Sequence, residues 1–183
     1  DELEDVRKEI EDVRKENEDT VRESKDEIRR LEDTNRKTLK ESRDDIEKAR
    51  ERVKKERRDS DKRVLERVAE ELRRIVKRIR EKDKEVIERS RKILDENRRR
   101  NEEVIKKTEK RLEEIRDRLS RVENEKDVRK VLKEVEEEAR ELVKLNRDVL
   151  EELRRRVRKL VEDNKDVTRE VEDILKKLEE ELK

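Results

Sequence analysis

Apolar and small polar residues recur every three or four positions along the first third of the chain: Leu3, Val6, Ile10, Val13, Asn17, Val21, Ser24, Ile28, Leu31, Asn35, Leu39, Ser42, Ile46, Ala49 and Val53. That spacing keeps one face of an α-helix and predicts helix throughout. The pattern returns after 18 residues, as Leu3, Val21 and Leu39 do, and Ile10, Ile28 and Ile46. Eighteen residues complete five turns of a straight helix, whereas a seven-residue repeat would impose a left-handed supercoil.

The stripe changes phase twice. It resumes from Val64 advanced by one residue, through Val68, Val86, Val104 and Val122, and from Val128 advanced by two more, through Val131, Val149 and Val167. Both resets coincide with capping chemistry. "RRDSDKR" offers Asp59 or Ser60 as an N-cap, and "VENEKDV" offers Asn124 with Asp127 three residues on. The phase is unbroken across "EKDKE", because Ile79, Asp83 and Val86 keep the spacing, so no loop is expected there. The reading is all-α: one domain over residues 1–183, a long, nearly straight up-down-up antiparallel three-helix bundle with helices near 2–58, 61–122 and 125–183. Each helix, at 1.5 Å per residue, would be roughly 90 Å long.

Polar residues inside the stripe demand a reason. Short connections make consecutive helices antiparallel neighbours, so level partners lie equidistant from a turn. Asn17 with Asn101 and Asn35 with Asp83 share a midpoint at Asp59, while Asn101 with Asn146 and Asp83 with Asn164 share one between Glu123 and Asn124. The sequence therefore predicts two polar cross-sections, one of Asn17, Asn101 and Asn146, the other of Asn35, Asp83 and Asn164. The same midpoints group Ile46 with Leu72 and Leu175, and Val53 with Leu65 and Leu182. A buried amide left unpaired costs about 1–3 kcal/mol, so such layers would penalise sliding, as a buried Asn does in coiled coils. Thr20, Thr34, Thr38, Ser90, Asn97, Thr108 and Thr168 flank the layers. They either extend the networks or bond their own helix backbone or water.

Composition supports helix and removes most chemistry. Of 183 residues 64% are charged and 27% hydrophobic, and there is no Gly, Pro, Cys, His, Met, Phe, Tyr or Trp. Low hydrophobicity alone suggests disorder, but strong helix formers at regular apolar spacing do not. Fifty-nine Lys plus Arg against fifty-eight Asp plus Glu leave a net charge of +1. No overall field steers the chain to nucleic acid or to an anionic membrane. No apolar run approaches the roughly 18 residues of a membrane span, and "DELEDVRKEI" lacks a signal peptide's apolar stretch, so a soluble chain is expected.

Candidate chemistry is weak. The carboxylates of "EVEEEARE", residues 134–141, have no histidine to complete a bundle metal site, and Glu with Lys or Arg four residues on is ordinary helix-surface support. Arg98, Arg99 and Arg100 of "NRRRN" fan out by about 100° each, making no one-sided basic patch. Nothing in the sequence points to a catalytic residue, a cofactor or a metal.

The repeat, the missing aromatics, the interspersed surface charge and the Asn and Asp layers together resemble the parametrically designed helical bundles, specifically untwisted antiparallel three-helix bundles with an 18-residue repeat and designed buried hydrogen-bond networks. The resemblance spans the whole chain. It implies a structural scaffold, a rigid rod with programmed register and no natural activity. Adjacent apolar pairs on helices two and three, such as Ile75 with Val76, Ile93 with Leu94, Leu142 with Val143 and Leu160 with Val161, leave a second reading open. They either cover the flanks of a monomeric core or receive a fourth helix or a second copy.

Overall fold

The computed structural model describes residues 2–57, 61–123 and 125–182. The chain is an all-α three-helix bundle of α1 (Glu2–Arg57), α2 (Lys62–Leu119) and α3 (Glu125–Leu182). With no Gly or Pro to interrupt it, each helix continues for as long as its amphipathic stripe stays in phase. The stripe of α1 is the buried face: Val6, Ile10, Val13, Asn17, Val21, Ser24, Ile28, Leu31, Asn35, Ser42, Ile46 and Ala49 are all buried. Leu3, Leu39 and Val53 are half-buried.

The first turn of α2 is capped by Asp61. Asp61 Oδ1 accepts a bond from the Arg63 amide at 3.0 Å, and the Asp61 carbonyl accepts from the amides of Val64 and Leu65. Those bonds satisfy amides that the first helical turn cannot pair internally. The caps anticipated at Asp59, Ser60 and Asn124 lie outside the described residues, as does the Leu182 side chain. α2 ends without glycine by tightening into i→i+3 bonds, Arg121 to Arg118 and Val122 to Leu119, each 3.2 Å. The Ser120 hydroxyl also donates to the Asp117 carbonyl at 2.7 Å.

Contacts divide the chain into two compact units. The first comprises residues 1–28 and 93–155, the second 29–92 and 156–183. In the first unit Val6, Ile10, Leu112, Ile115, Leu119, Val128, Val131 and Val135 form a core, flanked by Leu3, Val122, Leu132 and Ala139. In the second, Ile46 packs with Val76, Ile79, Val167 and Val171, and Ala49 packs with Val68, Ala69, Leu72 and Leu178. Burying each Val, Leu or Ile contributes about 1.5–3 kcal/mol against the conformational entropy of ordering the chain.

Both units are up-down-up. In the first, rising numbers on α1 meet falling numbers on α2 (Asn17 with Thr108, Ser24 with Asn101) and rising numbers on α3 (Arg7 with Glu134, Lys25 with Glu152). In the second, Arg80 with Glu172 and Arg73 with Glu179 set α2 antiparallel to α3, and Arg50 reaches Glu170 on the parallel helix.

The level of α2 against α1 differs from the sequence expectation. Asn17 with Thr108 and Ser24 with Asn101 share a midpoint between Lys62 and Arg63, not at Asp59. Ile46 accordingly packs with Val76 and Ile79, while Leu72 sits with Ala49. The partner on α2 is displaced by about seven residues, two helical turns. A seven-residue shift keeps apolar positions nearly in phase, so hydrophobic periodicity alone does not separate the two alignments.

Candidate functional site

The first unit contains a chain of side-chain bonds joining all three helices. Asn146 Nδ2 on α3 donates to Asn17 Oδ1 on α1 at 2.6 Å, and Asn17 Nδ2 donates to Thr108 Oγ1 on α2 at 2.9 Å. Asn17 is 1% exposed and Asn146 0%, so water does not compete for these bonds. Each Asn also anchors itself: Asn17 Nδ2 donates to the Val13 carbonyl and Asn146 Nδ2 to the Leu142 carbonyl, both at 2.8 Å. An amide nitrogen has two hydrogens. One goes to the carbonyl four residues back, leaving one to cross between helices.

Asn101 belongs to the adjoining layer. Its Nδ2 donates to Ser24 Oγ at 3.2 Å and to its own helix at the Asn97 carbonyl, and the Ser24 hydroxyl donates to the Thr20 carbonyl. Asn97 Nδ2 donates to Glu27 Oε2 at 3.2 Å, and Arg100 reaches the same oxygen at 3.5 Å. The structure thus brings Asn17 and Asn146 together and places Asn101 beside Ser24. Equal spacing about the turns pairs amide with amide, but a hydroxyl oxygen accepts an N–H equally well. Thr108 and Ser24 are the partners that spacing among the Asn and Asp residues alone leaves out.

One repeat further on, in the second unit, the same positions hold Asn35, Ser90 and Asn164, buried to 4%, 0% and 3% exposure. Two of them bond their own helices: Asn164 Nδ2 donates to the Leu160 carbonyl at 2.7 Å and the Ser90 hydroxyl to the Ile87 carbonyl at 2.9 Å. Asn35 Oδ1 is buried without a partner. Asp83 is half-buried, and Thr168 Oγ1 donates to its Oδ2 at 3.5 Å while Oδ1 is buried and unpaired. Burial pushes the Asp83 carboxyl above the ordinary aspartate range, opposed by the Thr168 hydrogen bond and the charge of Lys165. Asp83 and Asn164 are not joined by a hydrogen bond to Asn35.

Four of the flanking threonines fall into two pairs. Thr108 and Thr168 reach across to another helix, whereas Thr20 and Thr38 bond their own carbonyls four residues back, at Glu16 and Thr34.

Sequence reasoning missed a further buried group. Glu138, within the acidic run of α3, is 8% exposed and takes a two-pronged bond from Arg14 of α1, with Arg14 Nη2 to Oε2 at 2.8 Å. That bond and the carboxylate's charge push the Arg14 guanidinium above its usual range. Glu134, Glu137 and Glu141 line an open α1–α3 groove with Arg7 and Arg14. Among the described residues no group of three or more His, Cys, Asp or Glu side chains is placed to hold a metal ion. Arg98, Arg99 and Arg100 are exposed, with Arg98 beside Asp95 at 3.9 Å. No described helix is long and apolar enough to cross a membrane.

No family model and no curated protein matches this chain. Among solved structures it is similar to one described as a "Computationally designed three helix bundle", at 16% sequence identity and a TM-score of 0.55, over 99% of this chain and 90% of that one. At that identity the likeness is one of fold: this chain has the fold of a designed three-helix bundle.

Proposed function

We propose that the chain is a designed structural scaffold whose helix register is set by its buried polar layers, with no natural biochemical activity. The observation that carries this reading is the bond chain from Thr108 through Asn17 to Asn146, which spends buried polar groups on joining three helices at one level. A chain selected for stability alone gains more from leucine at those positions, because each buried amide must first be desolvated. What the amides add is a penalty on misalignment. The carboxylates serve as ion-pair partners between helices, and the reading assigns none of them a catalytic role.

The reading also makes the chain a monomer. The second members of the apolar pairs, Val143 and Val161 on α3, and Ile93 with Leu94 on α2, are half-buried, and no large hydrophobic side chain among the described residues is exposed. A fourth helix or a second copy would find little apolar surface to cover. Sedimentation equilibrium tests this, with a single species at 22.7 kDa expected. A reversible dimer would favour the docking-module reading instead.

The register claim is tested by replacing Asn17, Thr108 and Asn146 together with Leu, Val and Leu. The expected variant melts no lower than the parent but gives multiple sets of amide resonances. A single sharp set would show that the layer is dispensable for alignment.

A further inference from the structure

The 18-residue repeat creates a rival alignment that the amide layers oppose only in part. Displacing α3 along α1 by one repeat returns most apolar positions to apolar positions and brings Asn35 level with Asn146, polar against polar, while Asn17 then stands level with Val128 and Asn164 with Val53. Recurring ion pairs are indifferent. Arg7 pairs with Glu134 at 3.9 Å, and the pair one repeat on, Lys25 with Glu152 at 3.5 Å, has the same polarity, so exchanging partners still joins opposite charges. Neither reversal of the chain contains Gly or Pro, so backbone punctuation does not fix where the helices turn.

One recurring pair breaks the pattern. Arg14 on α1 bonds Glu138 on α3, and one repeat on the roles are exchanged: Glu32 on α1 accepts from Arg156 on α3, with Nε to Oε1 at 2.9 Å. Arg156 and Glu32 side chains are only 26% and 27% exposed, and Glu138 is more buried still. In an alignment displaced by one repeat, Glu32 meets Glu138 or Arg14 meets Arg156. The like charges of Glu32 and Glu138 are poorly screened there, whereas Arg14, with a side chain 48% exposed, repels Arg156 more weakly.

We infer that this reversal of polarity, Arg14–Glu138 against Glu32–Arg156, sets a charge penalty on the α1–α3 alignment displaced by a repeat, beyond the loss of the Asn17–Asn146 bond. The inference rests on the register-scaffold reading and gives these four side chains a positioning role that adds to that of the amide layers.

Exchanging the charges of one pair tests it. The Arg14→Glu/Glu138→Arg variant keeps every ion pair but makes both repeats alike. Because the chain has no cysteine, thiols introduced in the full chain report alignment unambiguously. Lys25→Cys with Glu152→Cys reports the observed alignment, and Lys25→Cys with Glu134→Cys the displaced one, since those positions otherwise stand about one repeat, roughly 27 Å, apart along the helix. Intrachain linking by a short bis-maleimide is measured in the parent and exchanged backgrounds, with helical content followed by circular dichroism. The expected result is linking of the displaced pair at background in the parent, rising at least about tenfold in the exchanged background, with helix retained. Linking that stays at background there, or loss of helix on exchange, overturns the inference while leaving the amide-layer reading intact. Displaced linking already present in the parent overturns both.

Discussion

Asn146 gives one amide hydrogen to its own helix at the Leu142 carbonyl and the other to Asn17 Oδ1 at 2.6 Å, so a single side chain is clamped to α3 while it reaches α1. The clamp matters because it removes rotamer freedom before the interhelical bond is made. Asn17 repeats the arrangement toward Thr108. The layer is therefore directional, running α3 to α1 to α2, and each member depends on the next.

That dependence predicts non-additivity. Asn146→Leu alone strands the buried Asn17 Oδ1 and is expected to destabilise the fold by about 1–3 kcal/mol. Asn17→Leu/Asn146→Leu removes both ends of the bond and adds apolar contact, so the double variant is expected to be more stable than Asn146→Leu. A double-mutant cycle by chemical denaturation reads the coupling; additive single effects would contradict it.

Thr108 and Ser90 occupy equivalent positions one repeat apart but make different bonds. Thr108→Val removes the acceptor for Asn17 and is expected to cost about 1 kcal/mol. Ser90→Ala removes only a bond to the Ile87 carbonyl of its own helix, and its melting temperature is expected to stay within a degree or so of the parent's. Equal losses would show that Thr108 bonds no more productively than Ser90.

Much of this was legible in the chain and some was not. The 3–4 spacing and two phase resets place all three helices within a few residues, because burying an amphipathic face decides helix extent. The stripe from Val6 to Ala49 is the buried face of α1. What the pattern did not contain is the level of α2 against α1. Shifting by two turns leaves the apolar stripe nearly in phase, and matching Asn to Asn ignored hydroxyls as acceptors, so Asn101 was set beside Asn17 instead of beside Ser24. Glu138 was hidden differently: one carboxylate among several in "EVEEEARE" becomes special only when packing points it at Arg14.

Asp83 carries a pH signature. Because burial raises its folded-state pKa, the native state takes up a proton at Asp83 before the unfolded chain does. Its contribution to stability is then most favourable below the ordinary aspartate value, about 3.9, and is lost as pH rises through the folded value. Asp83→Asn abolishes the dependence. The variant is expected to melt higher than the parent at pH 7, with the gap closing as pH falls below the ordinary aspartate value. Thermal melts of both proteins across that range check the sign; a gap that widens on acidification would contradict it.

The Asp61 cap is separable from the layers. Asp61→Ala leaves the Arg63 amide without its side-chain acceptor and is expected to cost about 1 kcal/mol, while Asp61→Asn, whose carbonyl oxygen can still accept, costs much less. Hydrogen exchange at Arg63 and Val64 should accelerate in the alanine variant only.

The most direct test of the alignment is nuclear Overhauser contact from the side-chain amide of Asn17, assigned by its disappearance in Asn17→Asp. The bond chain predicts cross-peaks to the Thr108 methyl group and to the Asn146 amide, with exchange slowed by burial. Cross-peaks to Asn101 and Ile105 in their place would put α2 two turns away and end the account.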